Sequence, residues 1–472
     1  MRVSIVLVVV LLPLWPSLAR AQQQPAQSTG SLDTLQPSAT AATYPALYSP
    51  PFGTEHALGD WAGARTWLED HGIDIGLNYF AEPAAIVAGG QRQGIDYTSQ
   101  IGLSIDLDGQ KLLGLTGFAL HTAIVQLNGR SSSADFLHDD LDAVQQIFGG
   151  GGDVAAHLVY VYGEQVLDNG RVDIAAGWMP VGTYFAGSPL YCDFLNVIFC
   201  GHPHPLPIYP GEPKWPAATW GGQAQVYVVP TIYVMAGLFQ VNPNFGGPSG
   251  WDWFEHGTTG LSVPLEVGWT PSFGPNHLLG HYKVGFDEDT SPYPDLFLST
   301  NGQPIAVSGL PGQPHSGRRM YYVLVDQMLV RTGKSDTDGL IVFGGAVHTD
   351  YATSPLENQV FGGVVSTASF IGRPQDDLGF AASWFQVSGA LTATQELEQA
   401  LDEPLTGGGL LASSLGVPVG VQSHEAELEA EYTAKVYRGV FITPDIQYII
   451  NPDGTSRIRS ALCVALQINA TF

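Results

Sequence analysis

The stretch Leu462-Cys463-Val464-Ala465-Leu466-Gln467-Ile468-Asn469-Ala470-Thr471-Phe472 decides the fold. Leu462, Val464, Leu466, Ile468, Ala470 and Phe472 form an apolar row, while Cys463, Gln467, Asn469 and Thr471 occupy the other face. A period of two marks a strand with two unlike faces. Ile73, Ile75, Leu77 and Tyr79 repeat it, as do Ile101, Leu103, Ile105 and Leu107, and Tyr282, Val284 and Phe286. Ala426, Leu428, Ala430 and Tyr432 alternate with Glu425, Glu427, Glu429 and Glu431. Segments around Ile232, Arg319 and Phe380 alternate poorly, which leaves their register open.

The connections separate a barrel from a soluble sandwich. Short turns near 168–170, 230–231, 332–339, 373–377 and 437–439 take turns with long links at 128–152, 180–220, 242–258, 289–317 and 391–422. This wiring predicts an all-β, transmembrane antiparallel β-barrel of about sixteen strands, each of roughly 9–14 residues. An even count returns both termini to the side of the short turns. Phe472, an aromatic on the lipid-facing row, resembles the recognition end of substrates of the barrel-assembly machinery.

Composition agrees with such a wall. Charged residues make up 13% of the 472, with 18 Lys+Arg against 44 Asp+Glu and 57 Gly. That charged fraction is about half the ~25% usual in soluble chains, as expected when half of each strand faces lipid. The formal charge of −26 repels phosphate and excludes nucleic-acid binding. Beyond the N-terminus no window of about 18 apolar residues exists, which excludes a helical membrane protein.

Arg2, the apolar run from Val3 to Leu12 and the triplet Ala19-Arg20-Ala21 predict a secretory signal peptide over residues 1–21. Loss of Arg2 and Arg20 would leave 16 basic residues against 44 acidic ones, a charge of −28. Residues 22–57 are rich in Gln, Pro, Ser, Ala and Thr and predict a disordered lead-in. Residues 58–72 predict a short helix, with Asp60 as N-cap and Gly72 as stop. Trp61, Ala64, Trp67 and Leu68 would share its apolar face. The barrel would occupy 73–472.

Gly59-Asp60-Trp61 with Gly63 and Arg65, and Pro444-Asp445-Ile446-Gln447-Tyr448-Ile449-Ile450-Asn451-Pro452-Asp453-Gly454 near the other end, resemble the OprB-type carbohydrate-selective porins of Gram-negative outer membranes. Phe194-Leu195-Asn196 and the Pro/Trp-rich stretch up to Trp220 are also similar, and the resemblance covers residues 58–472. It implies a sixteen-stranded, water-filled barrel with a periplasmic helix near its mouth and a long external loop folded inward. It further implies passive uptake of small sugars, with no cofactor and no covalent step.

A sugar offers a hydroxyl rim and apolar C–H faces, so its channel needs polar partners, aromatic planes and several modest sites in series. The segment 180–220 carries both chemistries, and Trp215 and Asn196 are its preferred contacts, with Phe194 and Trp220 beside them. Most of its aromatics are expected only to pack the loop on the wall. Glu425, Glu427, Glu429 and Glu431 would form either a solvated acidic wall or a ladder facing Arg130, Arg171, Lys283 or Arg319, whose transverse field orients solutes. Glu164 and Arg171 flank the 168–170 turn and form either a mouth pair or turn-edge polarity. The acidic balance predicts weak cation preference.

Cys192 and Cys200, eight residues apart in an exported loop, are expected to form a disulfide. Cys463 is expected to be a lone small residue. His202 and His204 lack a third ligand nearby in sequence, so no metal is expected. Beside the sugar-selective channel stands a general or weakly cation-preferring porin without a sugar site. A secreted or outer-membrane enzyme acting on polysaccharide or lipid is disfavoured, because no G-x-S-x-G elbow is present and nothing singles out a carboxyl pair. A structural or adhesive barrel is usually smaller and filled. Assembly into a homotrimer is left open by the sequence.

Overall fold

The computed structural model describes residues 55–147, 154–188, 190, 193–199, 215–247, 249–254, 256–333, 338–367, 371–407 and 418–472. Residues 1–21, expected as a signal peptide, nearly all of the expected lead-in, Cys192, Cys200, His202 and His204 lie outside the described residues.

Sixteen strands build one antiparallel wall. The first five are β1 (Ile73–Gly90), β2 (Gly94–Asp108), β3 (Phe118–Gly129), β4 (Val154–Leu167) and β5 (Val172–Met179). Next come β6 (Thr219–Val229), β7 (Ile232–Val241), β8 (Gly260–Trp269), β9 (Leu278–Ser299) and β10 (Gly312–Arg331). The last six are β11 (Gly339–Thr349), β12 (Leu356–Thr367), β13 (Asp377–Val387), β14 (His424–Tyr437), β15 (Val440–Ile450) and β16 (Arg459–Thr471). A two-residue ladder, Ser272–Phe273, extends the β8–β9 hairpin. Each strand pairs with its sequence neighbour, and β1 also pairs with β16, Asn78 opposite Thr471 and Ala81 opposite Ile468. Closure leaves no open edge, which a wall in hydrocarbon requires.

The row predicted from Leu462 to Phe472 faces outward, half-exposed to exposed, while Cys463, Ala465, Gln467, Asn469 and Thr471 are buried inside. Cys463 is a buried free cysteine.

Long and short links do not alternate strictly. At the end away from the termini, 91–93, 350–355 and 451–458 are short, whereas 109–117 at the near end spans nine residues with a helical turn, Gly109–Leu113. The expected loop 289–317 is mostly hairpin, because β9 and β10 run 22 and 20 residues. Their ladder slips between Asp289 and Pro292 and again between Pro294 and Ser299. A proline donates no ladder hydrogen bond, so the pairing continues only through such irregularities.

The N-terminal helix is α1 (Ala64–Asp70), preceded by a 3-10 turn, Trp61–Gly63. Asp60 Oδ1 accepts from Thr66 N and Oγ1, both at 2.8 Å, but Gly63 holds the N-cap position of α1. The expected apolar face is not what docks: Trp67 is 58% exposed, and Arg65 is the buried residue of α1. Two turns are too short to present a stripe. The guanidinium of Arg65 instead donates to the carbonyls of Ile75 at 3.0 Å and Phe472 at 2.5 Å, and lies 4.1 Å over the Trp61 ring.

The poorly alternating segments are apolar on both faces. Inside β10–β13, Met320, Tyr322, Leu324, Ile341, Phe343, Phe361 and Phe385 pack with Phe194, Ile198 and Phe199 of the 180–218 link. Inside β7, Tyr233, Met235 and Phe239 pack with Tyr184 and Phe185. The outer partners of these rows, such as Tyr321, Val323, Val234 and Phe380, are exposed. A strand covered on both sides loses the period-two signature.

Candidate functional site

Among the described residues, parts 180–188 and 193–199 of the long link enter the lumen as expected, and the 130–147 segment joins them, which the sequence reading missed. Their seam is polar. Glu429 Oε1 accepts from the backbone N–H of Leu195 at 2.6 Å and of Asn196 at 3.2 Å. The Asn196 amide donates to Glu427 at 2.5 Å and to Gln447 at 3.2 Å. Val197 N donates to the Ala143 carbonyl at 2.9 Å, and the Gln447 amide to that of Val144 at 3.1 Å. Gly454 N reaches Glu425 at 3.3 Å. Two strands along the same wall from β15, Glu82 accepts from Gln467 Nε2 at 2.9 Å and Ile147 N at 3.3 Å.

The Glu row therefore faces inward but is not a solvated wall. Phe194, Asn196, Glu425, Glu427 and Glu429 are 0–1% exposed. They anchor a plug, because the loops that were read as lining the water cover them. The facing ladder of basic residues is also replaced by local pairs. Arg130 is exposed and held by Asp135 at 2.5 Å. Arg171 lies 3.7 Å from Asp168 and donates to the Tyr227 carbonyl at 3.2 Å. Arg319 points outward to Glu288 at 3.3 Å, and Lys283 donates to the Gly187 carbonyl at 2.6 Å. Glu164 turns to His121 rather than across the 168–170 turn to Arg171.

Trp220 does not line the lumen either. The inner row of β6 is Thr219, Gln223, Gln225 and Tyr227, so Trp220 lies on the outer face. Its ring stands 5.7 Å from Trp178 and 5.3 Å from Trp253, centroid to centroid. The 242–259 link bends back over β4–β6 here, with Leu158 N donating to the Ser249 carbonyl at 2.9 Å. Trp215 stays inside, half-buried against the cluster that includes Tyr160 and Tyr184.

The inner wall of β1–β6 carries a polar row. Asp74 stands opposite Asp106, and Asp106 opposite His121. His121 Nδ1 lies 2.6 Å from Asp106 and Nε2 lies 3.0 Å from Glu164, with the three side chains 11–15% exposed. The Tyr162 ring stacks on the imidazole at 4.9 Å. Gln223 Nε2 donates to Asp173 at 3.2 Å. Sequence reasoning found Glu164 but missed Asp74, Asp106, His121, Asp173 and Gln223. The available signal was polar residues recurring on the inner row of successive strands, which becomes readable only once the strand register is known.

Outside the strands, Asp139 and Asp453 share the plug's far end with Glu425. Burial, with Asp142 nearby, pushes Asp139 up to about 7. Burial, with Asp139 nearby, pushes Asp453 up to about 8. An unfolded aspartate titrates near 3.9, so the folded loop favours the protonated forms. The stability these two groups confer is retained at about pH 4 and declines as the pH rises toward 7–8. Single-channel recordings at about pH 9 should show more frequent loop-scale fluctuations than at about pH 5. Asp139→Asn should reduce that difference; equal noise at both values in the unmodified chain would sink the assignment.

Among the described residues, no group of three or more His, Cys, Asp or Glu is placed to hold a metal ion.

A closed barrel, apolar outside and narrowed inside by its own loops, is a membrane-embedded diffusion channel of the bacterial outer-membrane type. The sequence matches the family described as "Carbohydrate-selective porin, OprB family" over residues 92–472, and the chain belongs to that family. It is similar to Porin B of Pseudomonas aeruginosa, 27% identical over 453 residues that cover 92% of this chain and 94% of the relative. It is also similar to the high-pH structure of Pseudomonas putida OprB, at 29% identity and a TM-score of 0.81, covering 89% of this chain and 99% of that one. The protein is a carbohydrate-selective porin of the Gram-negative outer membrane, through which small sugars diffuse passively into the periplasm.

Proposed function

We propose that the sugar path follows the β1–β6 side of the lumen, along Asp106, His121 and Glu164, with Trp215 offering an aromatic face. The observation that carries this reading is a contrast in access. The side chains of Asp106, His121 and Glu164 keep 11–15% exposure, while the Glu425–Glu429 row is sealed under the plug. The carboxylate oxygens that His121 orients suit a hydroxyl rim, and partial exposure suits a site that must release its solute. The plug supports the reading by covering the β10–β15 side and, through Tyr184 and Phe185, part of the β3–β7 side, while Asp106, His121 and Glu164 stay partly open.

The test is single-channel conductance titrated with glucose. Glu164→Gln leaves His121 without one charged partner, and charge-assisted hydrogen bonds contribute about 1.5–3 kcal/mol. We expect the half-blocking glucose concentration to change at least about threefold in Glu164→Gln and to rise in Trp215→Ala. If glucose fails to block the unmodified channel at any concentration, the sugar-site reading falls. The general-porin alternative is then tested by liposome swelling, where rates for glucose, raffinose and a matched zwitterion would follow size alone.

The remaining assignments belong to the same reading. Residues 1–21 act as a cleaved signal peptide, checked by N-terminal sequencing of the exported chain, while the end of the expected lead-in is tied to the wall, Ala57 N donating to the Thr471 carbonyl at 2.7 Å. Phe472 serves recognition by the barrel-assembly machinery, supported by its place at the end of the outward row. Assembly as a homotrimer is tested by the mass of the detergent-solubilised protein.

A further inference from the structure

We infer that the polar row of β1–β6 selects a sugar carrying a protonated amine, a 2-amino-2-deoxyhexose in its ammonium form, over the neutral hexose. This rests on the reading of that row as the sugar path and adds the class of solute it prefers.

The row has too few donors for its acceptors. Asp74, Asp106, Glu164 and Asp173 bring four carboxyl groups to adjoining strands, and His121 stands between two of them. Gln223 gives its amide N–H to Asp173, while its Oε1 has no hydrogen-bond partner. Asp74 Oδ2 and Asn78 Oδ1 also lack donors. Gln223 and Asp74 are 4% and 5% exposed, so their oxygens are largely desolvated acceptors that gain from a donor brought to the row. The nearby cations are engaged elsewhere, Arg171 at its own turn and Arg65 on two carbonyls.

A solute entering this row gains most by bringing donors and positive charge. An ammonium brings three N–H groups and one charge, and the hydroxyl rim of the same ring brings more donors. An acetylated amine keeps the bulk but loses the charge, and an acidic sugar meets repulsion. In a water-filled passage at moderate salt, one extra favourable charge interaction is screened but not abolished. That corresponds to a preference of about five- to tenfold rather than orders of magnitude.

The experiment is block of the reconstituted channel by glucosamine, N-acetylglucosamine, glucose and ethanolamine at about pH 6, where an amine of this kind is charged. We expect glucosamine to block at a concentration about five- to tenfold below glucose and N-acetylglucosamine. Asp173→Asn should remove most of that advantage, bringing the blocking concentrations of glucosamine and glucose to within about twofold of each other in the same variant. Gln223→Leu is the second variant should the first fail to give a heat-modifiable barrel, and it should weaken glucosamine block. Equal block by glucosamine and N-acetylglucosamine overturns the proposal, with glucose block still upholding the path. Ethanolamine blocking as well as glucosamine overturns it too, because the channel then selects cations and not amino sugars. Should Glu164→Gln and Asp173→Asn both leave every sugar unaffected, the path itself is elsewhere.

Discussion

Replacement of Glu429 by leucine is expected to free the plug and widen the channel. Its carboxylate receives the backbone N–H groups of Leu195 and Asn196, on a segment where Asn196 is fully buried. Leucine fills similar space but accepts nothing, leaving both donors orphaned in a dry seam. Each such group costs about 1–3 kcal/mol, hence about 2–6 kcal/mol against the docked loop. At 1.4 kcal/mol per tenfold, the released population grows at least about thirtyfold. Single-channel conductance should rise, and the swelling rates of glucose and raffinose should converge. Glu429→Gln keeps an acceptor and should stay near the unmodified channel. A leucine variant with unchanged conductance and unchanged size discrimination would show that the plug is held by its apolar face alone.

Gly89→Ala should be the most damaging single-methyl change in the wall. Gly89 has φ +72° and sits where the β1–β16 seam slips register between Ala88 and Gly90. A Cβ there would lie 1.8 Å from the Ser460 carbonyl oxygen and 2.7 Å from its carbon, both backbone atoms. The left-handed conformation alone costs about 1–2 kcal/mol for a residue with a side chain. The overlap must be relieved by parting the two strands that close the barrel, at about 1 kcal/mol for each backbone hydrogen bond lost. Gly302 is the control: its φ is +78°, but a Cβ would meet nothing within 4 Å. In heat-modifiable gel migration, Gly302→Ala should unfold only slightly below the unmodified barrel. Gly89→Ala should unfold far below it or fail to close; equal midpoints would refute the steric account.

The outward face was readable because lipid imposes one demand on it at every depth. Leu462, Val464, Leu466 and Ile468 satisfy that demand residue by residue, and they point outward. The inner face answers to several demands at once. Gln447 was read only as part of a family motif, yet it ties both inserted segments to the wall. Tyr322 lies in the segment around Arg319 that alternates poorly and, with Phe343, forms the bed on which Phe194 rests. Glu425, Glu427 and Glu429 were placed on the correct face but in the wrong medium, because burial by a loop distant in sequence leaves no local trace. His121 drew no notice, since a lone histidine on a strand has meaning only beside Asp106 and Glu164.

The wrap of residues 242–259 over the outside of β4–β6 gives the barrel a padded flank. Trp178 points away from the lumen yet is fully buried, enclosed by Trp220, Phe245 and Trp253. On this arc, near the outer rim, the described residues place two layers of side chains between lumen and lipid. The cylinder is therefore not equivalent in all directions to the lipids around it. A second barrel approaching side by side would find this arc occupied near its outer rim, so flush contact along the full height of the wall must be sought on another part of the circumference.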